Sequence, residues 1–201
     1  MTGSDDEGDH VFNDVPFAET ALSWRQNLGL LTETECELLT AYSGNDFKLL
    51  NPVLWGAVES TPSIERRIHQ LRTALRKYPL PITVRASRLT EATDFEVPSL
   101  HRADVERAHS LVDGVFTHFG FMSTSGLADP RRPKTEYLNP VIVDLIILKG
   151  TPALRLGELA EIPAEKEVLV IDARELLVVG VAWDEARTIW RIKAIVTGGD
   201  E

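Results

Sequence analysis

Apolar residues recur every three or four positions in the first half of the chain and in short unbroken runs in the second, so helices are expected first and strands afterwards. Trp24, Leu28 and Leu31 lie near helical spacing in a segment that begins at Phe17. Thr32-Glu33-Thr34-Glu35 has the form of a capping box ahead of Leu38, Leu39 and Tyr42. A second helix is expected from Asn51 to about Glu59. A third carries Ile64, Ile68, Leu71 and Leu75 and is stopped by Pro79.

Pro81 to Ser87 is the first expected strand. Val105, Ala108, Leu111 and Val115 then suggest a short amphipathic helix. The runs that follow are apolar and β-branched: Phe116 to Met122, Val141 to Leu148, Val168 to Ile171, Leu176 to Trp183 and Thr188 to Val196. Trp183-Asp184-Glu185-Ala186-Arg187 reads as the turn of a terminal hairpin. Helices followed by strands predict an α+β domain rather than alternating βαβ units. No Gly-x-Gly-x-x-Gly follows a strand, which argues against a Rossmann site.

Composition sharpens this picture. With 201 residues, 43% of them hydrophobic, the chain suits one domain with a substantial core, expected over residues 16–201. Residues 1–15 are rich in glycine, serine and acidic groups, the composition of a disordered tail. A net charge of −10 argues against non-specific attraction to nucleic acid or to an anionic membrane surface. Cys36 is the one cysteine, and the five histidines share no metal-ligand spacing, so no metal is expected. The N-terminus lacks the pattern of a signal peptide and no apolar run reaches membrane-spanning length. The expectation is a soluble protein made in the cytoplasm, with export, if any, by a signal-free route.

Three polar groups interrupt the strand-like runs. If Glu165, Lys166 and Glu167 are extended, the two glutamates project from one face, an arrangement usually kept where a cation, a proton or a substrate compensates. Two solvated carboxylates at the start of a strand would look the same in sequence. Ser123-Thr124-Ser125 before Gly126 suits a turn, or a hydroxyl that orients a carboxylate or a ligand. Arg85, after Ile82-Thr83-Val84, either packs its stem outward or presents its planar fork to a phosphate or carboxylate. Arg88, three residues on, is a rival for that role.

Taken together and in order, these pieces resemble the mono-ADP-ribosyltransferases related to clostridial binary toxins and Rho-modifying exoenzymes. The resemblance rests on Leu31-Thr32-x-x-Glu35, Tyr42-Ser43 and Asn51-x-x-Leu54 in the helical opening. It continues through Leu-Pro-Ile-Thr-Val-Arg ending at Arg85, Gly120-Phe121-Met122-Ser123-Thr124-Ser125, and Pro163-x-Glu165-Lys166-Glu167-Val168-Leu169. It implies an ADP-ribosyltransferase-like fold, with N-terminal helices followed by two packed, mostly antiparallel sheets around an NAD cleft. NAD is implied as co-substrate, with a target protein bearing an acceptor arginine as partner and room for a separate delivery or immunity partner.

By the same resemblance Arg85 would contact the NAD phosphates, Ser123 would hydrogen-bond Glu167, and Glu167 would grip the 2′-hydroxyl of the nicotinamide ribose. Glu165 would present the acceptor. Asn51, Thr124 and Ser125 match positions that hold NAD, and Arg131 or Arg132 would meet the pyrophosphate. Glutamate at position 165 goes with arginine acceptors in relatives, whereas glutamine there goes with asparagine. Trp55 departs from the pattern, standing where relatives carry an arginine. The implied function is a toxin, effector or phage-type modifier; the alternatives are an NAD glycohydrolase of the same fold and a catalytically silent binding module.

Overall fold

A computed structural model describes residues 12–21, 26–130 and 137–197. The fully described helices and strands run in the order α1 (Glu33–Ala41), α2 (Phe47–Leu54), α3 (Pro62–Arg76), β1 (Val84–Glu91), α4 (Val105–His109), β2 (Val115–His118), β3 (Met122–Ser125), β4 (Pro140–Ile147), β5 (Ala153–Arg155), β6 (Glu167–Val170), β7 (Arg174–Asp184) and β8 (Ile189–Thr197). The strands are ordered β2-β7-β8-β4-β1-β3-β6-β5. Every pairing is antiparallel except β4 with β8.

This order divides naturally in two. β1 meets β3 at one residue pair, Ser87 opposite Ser125, whereas β1 and β4 pair along eight. A five-strand and a three-strand portion therefore hinge at Ser87 and Ser125. Val84, Ala86, Val143, Leu145, Ile192 and Ala194 of the larger portion pack with Met122, Val168 and Val170 of the smaller one. The opposite face of the smaller portion, Leu154, Leu169 and Ile171, packs with Leu38, Leu39, Leu50, Ile68, Leu71 and Leu75 of the helices. Strand alternation explains this division: consecutive residues of β6 face opposite sides, so Val168 and Val170 enter one core and Leu169 the other.

The helical starts follow local chemistry. Thr32 and Glu35 form the expected capping box, with the Thr32 amide donating to Glu35 Oε2 at 2.7 Å and the Glu35 amide to Thr32 Oγ1 at 3.2 Å. Thr61 caps α3 and Pro62 occupies its first turn, where a missing N–H costs nothing. Burying Ile68, Leu71 and Leu75 contributes about 1.5–3 kcal/mol per side chain, far more than helix propensity supplies.

Several elements differ from the sequence expectation. The helix expected from Phe17 is absent among the described residues: Phe17 pairs with Arg85 in a parallel bridge, and only Leu28–Leu30 forms a short 3-10 turn. The fold begins before residue 16, because Phe12 is 2% exposed and packed against Arg85. α2 starts and ends earlier than expected; a π-helical turn, Tyr42–Asp46, joins it to α1, and Gly56 at φ +72° follows it. β1 runs through Glu91 rather than ending at Ser87. The run Phe116 to Met122 divides into β2 and β3 at Phe119-Gly120-Phe121.

The candidate functional site

That division positions the site. Asn51, 5% exposed on α2, uses both ends of its carboxamide on Phe121: the Phe121 amide donates to Oδ1 at 3.1 Å and Nδ2 donates to the Phe121 carbonyl at 3.2 Å. The Tyr42 hydroxyl donates to the same carbonyl at 3.2 Å. Burial pushes the Tyr42 phenol well above its ordinary pKa, so it remains a donor. Gly120 permits this approach, since a Cβ there would lie 2.8 Å from Asn51 Cγ and 2.9 Å from Trp55 Nε1. The pinned Phe121 starts β3 in the register that places Ser123 opposite Leu169 and Ser125 opposite Glu167.

Ser123, Ser125 and Glu167 consequently share one face of the smaller sheet portion. Ser123 Oγ donates to Glu167 Oε1 at 2.6 Å. Ser43, on the π-helical turn, donates to Glu167 Oε2 at 2.6 Å. Each carboxylate oxygen thus carries a hydroxyl partner, and Glu167 is 8% exposed. These residues border a cleft of about 470 Å³ together with Arg88, Thr90, Asn51, Trp55, Ser125 and Glu165. A second cavity of about 290 Å³ shares Trp55, Arg88, Thr90 and Asp94 with it and is lined by Phe95, Phe116, His118 and Phe119. Burial, aided by Arg88, pulls the His118 pKa down to about 3, so this imidazole is neutral at physiological pH.

Glu165 enters the cleft by a different route from the extended one expected. Pro163–Glu165 forms a 3-10 turn, and Lys166 takes a left-handed conformation with φ 54° before β6 begins at Glu167. The two glutamates are therefore not neighbours on one strand face. Ser125 Oγ donates to the Glu165 carbonyl at 2.8 Å, and the Gly126 amide donates to the Lys166 carbonyl at 2.9 Å. These bonds hold the left-handed corner, which a residue with a Cβ otherwise disfavours by about 1–2 kcal/mol.

Arg85 is not brought to this group. It lies on the face of β1 away from the cleft, its guanidinium 4.3 Å from the Phe17 ring centroid. Arg88 occupies the cleft instead and donates to the Ser123 carbonyl at 2.7 Å. Parity along the strand accounts for the exchange: Val84 and Ala86 face the inter-sheet core, and two further steps bring Arg88 to its open end. Thr124 faces inward and donates to the Val168 carbonyl at 2.8 Å. Arg131 and Arg132 lie outside the described residues. Among the described residues, no group of His, Cys, Asp and Glu could hold a metal ion, and no helix is long and apolar enough to cross a membrane.

A sequence model of the ADP-ribosyltransferase exoenzyme family matches residues 18–189. The chain belongs to that family. Its fold matches Plx2a, an ADP-ribosyltransferase toxin from Paenibacillus larvae, with a TM-score of 0.71 and 20% identity over 85% of this chain and 89% of that one. C3stau2 from S. aureus, solved with NAD, matches with a TM-score of 0.68 and 19% identity over 84% of this chain and 89% of the other. BECa, an ADP-ribosylating toxin of a binary enterotoxin of C. perfringens solved with NADH, gives 0.72 and 18% over 85% of this chain and 45% of its own. No curated protein sequence matched the chain. Ser43 and Arg88 also line the cleft; Arg88 is the rival to Arg85 that the sequence offered, and Ser43 was not singled out. Strand parity was the available signal for Arg88; nothing local to Ser43 marked it.

Proposed function

We propose that this ADP-ribosyltransferase cleaves NAD and transfers ADP-ribose to an arginine of a target protein. The observation that carries the reading is Glu167, nearly buried at the cleft, with hydroxyl donors on both carboxylate oxygens and an arginine and a second glutamate in the same cleft. Two hydroxyls donating to one carboxylate fix its orientation, and a carboxylate is the group needed beside a developing positive charge.

In the proposed reaction the bond from ribose C1′ to the nicotinamide nitrogen breaks, and its electron pair neutralises the pyridinium ring. Positive charge develops on the ribose, as in glycoside cleavage, and Glu167 stabilises it while accepting the 2′-hydroxyl. Arg88 offers a planar cation to the diphosphate. A guanidine nitrogen of the acceptor forms the new bond to C1′ and its proton passes to Glu165.

Separating the two glutamates tests this assignment. Glu165→Gln is expected to keep nicotinamide release while transfer to agmatine, a soluble arginine analogue, is lost. Equal transfer by the variant and the parent protein refutes the role given to Glu165 and the arginine specificity built on it.

A further inference from the structure

Ser43 makes two bonds at once. Its hydroxyl donates to Glu167 Oε2 at 2.6 Å, and its oxygen accepts the Glu161 backbone amide at 3.1 Å. A backbone amide only donates, so the Ser43 oxygen must be the acceptor in that pair, leaving its single proton for Glu167. The π-helical turn Tyr42–Asp46 places this hydroxyl, and such turns often occur where a functional group must be aimed. Glu161 belongs to the segment between β5 and β6 that also carries Glu165. Ser125 holds the far end of this segment through the Glu165 carbonyl.

We propose that Ser43 is a positioning residue that fixes the carboxylate of Glu167 and ties its orientation to the turn bearing Glu161 and Glu165. The inference deepens the transferase reading and rests on Glu167 being the group that acts. Ser123 alone leaves Oε2 free to rotate away from the cleft. With Ser43, Glu167 is aimed before any substrate arrives, and the segment that carries Glu165 is registered against it.

The test uses the full chain without NAD, so its result stands whether or not the transferase reading does. The ¹³C signal of the Glu167 side-chain carboxyl, assigned with Glu167→Gln, and the amide signal of Glu165 are compared at one fixed pH in the parent protein and in Ser43→Ala. Loss of the Ser43 hydroxyl is expected to move the Glu167 carboxyl signal and the Glu165 amide signal together, because the carboxylate and the turn lose their common tie. The other titratable or charged groups on this cleft are Tyr42 on the helical turn, Arg88 and Glu91 on β1, Asp94 after it, Tyr137, and Glu161 and Glu165 on the loop. Ser43→Ala removes none of them.

A second readout follows turnover. Ser43→Ala is expected to lower kcat for nicotinamide release about 10- to 100-fold and to change KM for NAD by less than about threefold. Ser43→Thr, which keeps the hydroxyl, is expected to restore kcat and both NMR signals. Unmoved Glu167 and Glu165 signals in Ser43→Ala overturn the proposal, as does a Ser43→Thr variant as impaired as Ser43→Ala. A parent protein that releases no nicotinamide while the two signals still move in Ser43→Ala overturns the transferase reading and leaves the positioning intact.

Discussion

Asn51→Ala separates a structural from a substrate-binding role for the buried amide of α2. The substitution removes the acceptor of the Phe121 N–H at 3.1 Å and one of two donors to the Phe121 carbonyl; Tyr42, at 3.2 Å, remains. The stranded N–H costs about 1–3 kcal/mol, and the lost second bond to the carbonyl adds about 0.5–1 kcal/mol. The expected destabilisation is thus about 2–4 kcal/mol. For a domain of this size that is a fall in Tm of roughly 5–12 °C. Calorimetry without NAD measures it directly. Because Phe121 sets the start of β3, nicotinamide release is expected to fall with it even at temperatures where the variant is folded. A Tm within about 1 °C of the parent, with only KM for NAD raised, would refute the pinning argument and return Asn51 to a binding role.

Arg88→Ala is expected to reduce nicotinamide release by about 100-fold or more, whereas Arg85→Ala, which removes a guanidinium stacked on Phe17, should cost about 0.5–1 kcal/mol of stability and little activity; steady-state rates and denaturation of the two variants decide between them. Gly120→Ala drives a Cβ to within 2.8 Å of Asn51 and should destabilise by about 1–3 kcal/mol in urea titration. His118 is held neutral down to about pH 3 in the fold but takes up a proton near 6.5 when unfolded. The unfolded state therefore binds more protons between those values, and stability falls as pH drops below about 6.5. Between pH 6 and pH 5 the parent should lose about 1 kcal/mol more than His118→Gln, and identical pH slopes for the two would exclude the burial argument.

The parts of the fold legible in the sequence were those fixed by local chemistry. The Thr32–Glu35 box, the apolar stripe of α3 and the long runs of β4, β7 and β8 each carry their own signal within a dozen residues. What failed depended on contacts distant in sequence. Phe119-Gly120-Phe121 looks like continuous strand until Asn51, seventy residues away, takes the backbone groups of Phe121. Glu165 and Glu167 look like an alternating pair until the left-handed Lys166 turns the chain between them. Arg85 and Arg88 both sit in β1, and only the inward facing of Val84 and Ala86 tells which arginine reaches the cleft. Ser43 meets Glu167 across 124 positions, a contact that no local pattern encodes.

Glu167 is the carboxylate we propose to support cleavage of NAD. The most direct test is the initial rate of nicotinamide release by the purified protein beside Glu167→Gln, which keeps the shape and removes the charge. A measurable rate in the parent and a loss of about 100- to 1,000-fold in the variant is the predicted result. Equal release by both proteins, or none from the folded parent, would contradict it.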